Sequence, residues 1–264
     1  MPFRSLCFIL LALLPYSTEA QPGSAPSGFE KSAYQDATGN VLPYQILFPK
    51  NYDRKQNYPL VLFLHGAGER GTDNEKQLTH GSKLFLDEKV RADFPAIVVF
   101  PQCPPESYWS SVKIDREKRP MSLDFSYADR LNWPTQAAVD LVKSLLKTEG
   151  VDKNRVYLMG LSMGGMGTFE VLSRYPKLFA AATPICGGGD PDLAKKYAKR
   201  LPLWVFHGDA DPVVEVKYSR EMVAKLKEVG ANVQYTEYPG VGHDSWNNAF
   251  AEPNLLPWLF GQKK

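Results

Sequence analysis

Residues 155–171, Arg-Val-Tyr-Leu-Met-Gly-Leu-Ser-Met-Gly-Gly-Met-Gly-Thr-Phe-Glu-Val, constrain this chain more than any other stretch. Val156 to Met159 form a short, bounded apolar run, as a buried strand does. From Thr168 to Arg174 the spacing is helical, with Phe169 and Leu172 on one side. Between them lies Gly160-x-Ser162-x-Gly164, the strand–turn–helix pattern of a nucleophile elbow. A serine hydroxyl that must stand clear at the top of a sheet needs a sharply bent backbone with small neighbours. Glycine two residues before and two after supplies that room. A helix beginning just after Ser162 aims free N–H groups at the place where an oxyanion would form.

The rest of the chain supplies a sheet for such an elbow. Tyr58–Leu64 is a continuous apolar run, as a strand covered on both faces is. Ala96–Phe100, Phe179–Ile185, Leu203–Phe206 and Val233–Tyr238 read as further strands. Helices are predicted over Leu78–Val90, Pro134–Thr148, Pro191–Arg200 and Lys217–Val229, with a short terminal helix ending near Trp258. In Pro134–Thr148 the stripe is Ala137, Ala138, Leu141, Val142, Leu145 and Leu146; Gly230 closes the helix that precedes it. Upstream, Phe29–Tyr34 and Val41–Phe48 flank Thr38-Gly39-Asn40 as a hairpin. Alternating strands and helices from Tyr58 onward predict an α/β fold with a mostly parallel central sheet and helices on both faces. Ligands in such sheets bind outside the C-terminal strand ends.

The first twenty residues read as a signal peptide: Arg4, an apolar run from Leu6 to Leu14, and small residues ending at Ala20. That run is too short to span a bilayer, so the mature chain is expected to be secreted or periplasmic, without a membrane span. Residues 21–28 read as a flexible leader and 29–264 as a single domain. Cys103–Trp133, with Pro104-Pro105, Trp109, a charged run from Lys113 to Arg119, and Phe125 and Tyr127, is long for a connection. It is expected to lie over the site as an insertion, the individual charges being solvated surface. A net charge of +2 with no basic stripe gives no reason to expect nucleic acid as a partner.

A serine hydroxyl needs a base within hydrogen-bond reach, and the base needs an orienting carboxylate. In this fold the chain order is serine, acid, histidine. Of the 4 histidines, His65 and His80 precede Ser162, and His207 ends a strand. His243 follows the last strand in a Gly-rich loop and is the expected base. Asp209 and Asp211 both suit the acid by position. Asp211, followed by Pro212-Val213-Val214, is preferred; Asp209 is expected to tie the loop to its own backbone. The oxyanion donors are expected to be the N–H groups of Met163 and Ala67, with Gly66 or Gly68 as alternatives in the His65–Gly71 turn. His65 is expected to be structural. Trp109 and Trp246 are candidate substrate contacts. No metal-ligand spacing and no phosphate loop are present, so neither a metal nor a cofactor is expected.

Taken together, Leu62-Phe63-Leu64-His65-Gly66-Ala67-Gly68-Glu69-Arg70-Gly71, the elbow, His207-Gly-Asp-Ala-Asp211-Pro-Val-Val and Gly242-His243-Asp244 resemble the α/β-hydrolase superfamily. More narrowly, they resemble secreted phospholipase/carboxylesterase-type "predicted peptidase" esterases, near the feruloyl and polyhydroxybutyrate-depolymerase esterases. The resemblance covers about residues 40 to 260. It implies an α/β-hydrolase fold with strand order 1-2-4-3-5-6-7-8, a cofactor-free ester hydrolase, and the roles above for Ser162, Asp211, His243, Met163 and Ala67. In that order the strands before Cys103 and Cys186 are three intervals apart, roughly 14 Å. A disulfide needs Cα atoms within about 7 Å, so two separate thiols are expected. No large cap domain separates the sixth and seventh strands, which disfavours large lipid substrates. The expected substrate is a short acyl or hydroxycinnamoyl ester, small or attached to plant polysaccharide. The alternatives are a prolyl-oligopeptidase-type serine peptidase, an acyltransferase, and a non-catalytic binding protein on the same fold.

Overall fold

A computed structural model of the chain describes residues 28–118 and 121–264; the expected signal peptide, and all of the leader but Gly28, lie outside the described residues. The strands are β1 (Glu30–Gln35), β2 (Val41–Leu47), β3 (Tyr58–Leu64), β4 (Ile97–Pro101), β5 (Lys113–Asp115), β6 (Ser122–Asp124), β7 (Val151–Leu161), β8 (Ala181–Ile185), β9 (Leu203–Gly208) and β10 (Val233–Tyr238). Eight form one sheet in the order β1-β2-β4-β3-β7-β8-β9-β10, while β5 and β6 pair separately. This is the order that the resemblance implied. From β4 to β10 all neighbours are parallel; β1 and β2 form an antiparallel edge.

The helices are α1 (Ser82–Leu86), α2 (Glu88–Asp93), α3 (Trp133–Thr148), α4 (Met163–Arg174), α5 (Lys217–Glu228), α6 (Trp246–Ala251) and α7 (Leu255–Gly261). Side chains along β3 alternate between the two faces. Leu60, Leu62 and Leu64 join one core with Val142 of α3, Phe169 of α4 and Met222 of α5. Val61 and Phe63 join the other with Phe85 of α1 and Leu255 and Leu259 of α7. Every residue of β3 is buried, and each such large apolar side chain stabilises the fold by roughly 1.5–3 kcal/mol. The central strands are thereby rigid, and their C-terminal ends carry the site.

Two local expectations need correction. The single helix expected over Leu78–Val90 is a short 3-10 turn followed by α1 and α2. It breaks at Asp87, whose extended backbone lets its carboxylate accept the N–H groups of Lys89 and Val90 and so cap a new helix. The helix expected over Pro191–Arg200 is a 3-10 helix ending at Lys196. The charges of the run from Lys113 face solvent as expected, with Lys113, Arg116, Glu117 and Lys118 exposed. The first part of the run is β5, hairpinned to β6, and the two turn Ile114 and Leu123 inward. Cys103 and Cys186 are both free and buried, as expected for separate thiols. Among the described residues, no helix is long and apolar enough to cross a membrane.

Candidate active site

Ser162 sits between β7 and α4 with φ 53° and ψ −115°, a backbone conformation that L-residues rarely adopt. The glycines around it make the bend sterically feasible. A Cβ on Gly160 would lie 2.3 Å from the carbonyl oxygen of Gly164, and one on Gly164 would lie 1.9 Å from that of Leu64. The turn is anchored by Ser162 N–H donating to Ile185 O at 2.9 Å and Met166 N–H donating to Ser162 O at 3.0 Å.

The loop after β10 brings His243 to this serine. Ser162 Oγ lies 2.9 Å from His243 Nε2, and His243 Nδ1 lies 2.7 Å from Asp211 Oδ2. Facing a carboxylate, Nδ1 carries the proton, which leaves Nε2 as an acceptor for the serine hydroxyl. Asp211 is held from the other side by the N–H groups of Val213 and Val214, which donate to Oδ1 at 2.8 and 2.9 Å. Burial raises the pKa of its carboxyl, but hydrogen bonds from His207 and His243 outweigh that effect and hold it well below the ordinary carboxylate range. Asp209 is exposed and accepts the N–H of Gly240 at 2.6 Å. It ties its loop to the one bearing His243, not to its own backbone as expected.

A cleft of about 250 Å³ opens over Ser162. Ala67, Gly66 and Gly68 line it, and Ala67 begins a short 3-10 turn. Met163 is the first residue of α4, where a backbone N–H has no partner within its own helix. Both expected oxyanion donors therefore belong to segments that flank the serine. His65 lies beneath the turn: Nδ1 donates to Gly66 O at 2.7 Å, and Nε2 accepts Cys103 N–H at 3.0 Å. It is a structural histidine.

The two tryptophans part company. Trp246 lines the cleft, its ring edge-on to His243 at 5.4 Å. Trp109 does not line it. Its side chain is fully buried against His65 and under α4, where a Cβ on Gly167 would meet it at 2.7 Å. The lining residues that sequence reasoning missed are Glu69 and Leu161, Tyr108, Ile114, Arg116, Met121 and Leu123 from the insertion, Met166 from α4, and Val213 and Val214. The recurrence of apolar Ile114, Met121 and Leu123 within a charged stretch was the available signal. Among the described residues, Cys186, Asp211 and His243 have possible metal-ligand atoms within 4.8 Å of one another. Burial pushes the Cys186 thiol up, and both ring nitrogens of His243 are engaged, so this set is poorly matched to an ion.

The sequence pattern of the phospholipase/carboxylesterase family matches residues 51–253. The chain belongs to that family. As a phospholipase/carboxylesterase relative it is a hydrolase of carboxylesterase or thioesterase type. An acyl-protein thioesterase 1 from Neurospora crassa is 36% identical over 203 residues, covering 70% of this chain and 80% of that protein. A thermostable esterase of known structure is similar at 39% identity with a TM-score of 0.81, covering 90% of this chain but 64% of its own. A ferulic acid esterase from Anaeromyces mucronatus, solved with ferulic acid, shares the fold at 15% identity and a TM-score of 0.64, covering 92% of this chain and 94% of that one.

Proposed function

We propose that this hydrolase is a serine carboxylesterase that works through an acyl-enzyme. The observation that carries the reading is the hydrogen-bonded series Ser162–His243–Asp211 at the head of α4, opening on a cleft. Ser162 Oγ attacks the ester carbonyl while His243 Nε2 takes its proton. Asp211 orients His243 and stabilises its charged form. The N–H groups of Met163 and Ala67 receive the oxyanion. His243 then protonates the leaving alcohol, and water, activated by the same imidazole, cleaves the acyl-enzyme.

The substrate class proposed is a short acyl or hydroxycinnamoyl ester, including esters of plant polysaccharide. A cleft of about 250 Å³ suits a small or flat acyl group better than a long lipid chain. Ile114, Leu123, Val214 and Trp246 give it an apolar and aromatic wall, beside the charged Glu69 and Arg116. The export signal read at residues 1–20 supports a secreted or periplasmic enzyme that meets such material outside the cytosol.

A panel of short and long p-nitrophenyl esters, methyl ferulate, acetylated xylan and a peptide amide, assayed with the wild type and Ser162→Ala, tests the reading. Turnover of short esters and of ferulate or acetylxylan, lost in Ser162→Ala, is expected. Amide cleavage with poor ester turnover would overturn it in favour of a peptidase.

A further inference from the structure

His207, near the end of β9, is fully buried, and the reaction proposed above makes no use of it. Its ring nevertheless reaches the acid. Nε2 lies 3.2 Å from Asp211 Oδ2, the same oxygen that faces His243 at 2.7 Å. Nε2 also lies 2.9 Å from the carbonyl oxygen of Val214. A carbonyl and an ionised carboxylate can only accept. A bare nitrogen lone pair would repel both, so Nε2 carries a proton and shares it between them. On the far side, Nδ1 lies 2.7 Å from Ser219 Oγ, which lies 3.0 Å from Gly187 O. Serine 219 therefore clamps the ring from α5, while β9 fixes its backbone.

An ionised carboxylate has roughly four acceptor positions. Asp211 fills two through Val213 and Val214 on Oδ1, and one through His243 on Oδ2. We infer that His207 is a positioning residue for this reaction: a second histidine that occupies the remaining acceptor site of Asp211 and fixes the oxygen that orients His243. The inference rests on the serine-hydrolase reading. Without the Nε2–H of His207, Oδ2 would keep a single donor, and that donor is the residue it has to orient. His243 would then lose the fixed line from Ser162 to Asp211 at the moment it takes a proton. His207 is not among the residues that line the cleft, so substrate binding should be spared.

The test compares His207→Gln with His207→Asn in the full chain. The glutamine amide can reach the position of Nε2 and donate to Asp211; the asparagine amide reaches only the position of Nδ1. With p-nitrophenyl acetate, kcat is expected within about tenfold of wild type for Gln and roughly 100-fold down for Asn, with KM within about threefold in both. Equal kcat in the two variants, whether high or low, would overturn the inference. If the Asn variant does not fold, the wild type decides by nitrogen NMR of labelled histidine, with His207 assigned by the signal missing from the Gln variant. A protonated Nε2 is expected; an unprotonated Nε2 overturns the inference. Ester turnover that survives Ser162→Ala would instead remove the serine-nucleophile reading, and the positioning role with it.

Discussion

A Cβ placed on Gly164 would lie 1.9 Å from the carbonyl oxygen of Leu64, so the helix that follows the nucleophile touches the end of β3 with nothing but hydrogen between them. This contact sets the height of Ser162 above the sheet. Gly164→Ala therefore cannot be absorbed by rotating a side chain, because the obstacle is backbone. The substitution is expected to destabilise the fold by about 3 kcal/mol and to reduce ester turnover more than the lost stability explains. Urea unfolding and kinetics of the folded fraction check both. Wild-type turnover in a stable Gly164→Ala protein would contradict the account.

His65 gives the fold an acid weakness. Burial lowers its pKa from the ordinary 6.5 to about 4. Protonation would also aim a second N–H at the Cys103 N–H that Nε2 now accepts. Between pH 6.5 and 4 the unfolded chain binds a proton here that the folded chain refuses, so stability rises with pH across that window. The contribution is complete above pH 6.5 and is lost as pH falls towards 4, a change of about 3 kcal/mol. His65→Gln should be less stable than wild type at pH 7, with the gap narrowing towards pH 4. Denaturation at both pH values measures it, and an equal gap at both counts against this role.

Asp211 has linkage of the same sign, in a more acidic window. Its folded pKa lies below the ordinary 3.8, so the stability it contributes is present above that value and is lost only as pH falls through the folded one. Asp211→Asn should lower kcat by about 10³–10⁴ at neutral pH, because the amide favours the wrong tautomer of His243. Any stability gap relative to wild type should shrink below pH 3.8. Retention of kcat within tenfold of wild type would contradict its orienting role.

Glu170, on α4 eight residues after the nucleophile, is a buried fastening for the insertion. Its carboxylate accepts Ser110 Oγ at 2.9 Å, Ser111 N–H at 2.7 Å and Ser111 Oγ at 2.8 Å, and pairs with Arg174 at 2.8 Å. Glu170→Ala leaves these donors without an acceptor and should cost about 3 kcal/mol. Because the insertion supplies Tyr108, Ile114 and Leu123 to the cleft, KM should rise more than kcat falls. Calorimetry with steady-state kinetics would detect this, and an unchanged KM would refute the coupling.

What could be read from the sequence was what repeats or is spelled locally. Strand–helix alternation and unbroken apolar runs such as Tyr58–Leu64 announced the sheet. Gly160 and Gly164 announced the bend, and the order of Ser162, Asp211 and His243 along the chain matched the ends of β7, β9 and β10, which lie in one half of the sheet. What could not be read depended on partners distant in sequence. Trp109 looks like a surface aromatic in a Pro-rich loop until Gly167, far along the chain, provides a gap for it. Glu170 looks like an ordinary helix-surface charge until Ser110 and Ser111 fold over it. The β5–β6 hairpin has strands of 3 residues each inside a charged run, too short for periodicity to appear. His207 carried no sign of its tie to Asp211, because the bond depends on how the loop after β9 curls back.

The central claim is that Ser162 carries the acyl group. The most direct measurement is rapid-quench kinetics with p-nitrophenyl acetate, followed by mass spectrometry of the quenched protein. The account predicts a burst of p-nitrophenol approaching one per active site, with an acetyl group on the peptide containing Ser162 and neither signal in Ser162→Ala. Turnover that continues in Ser162→Ala, or an acyl group on another residue, would contradict it.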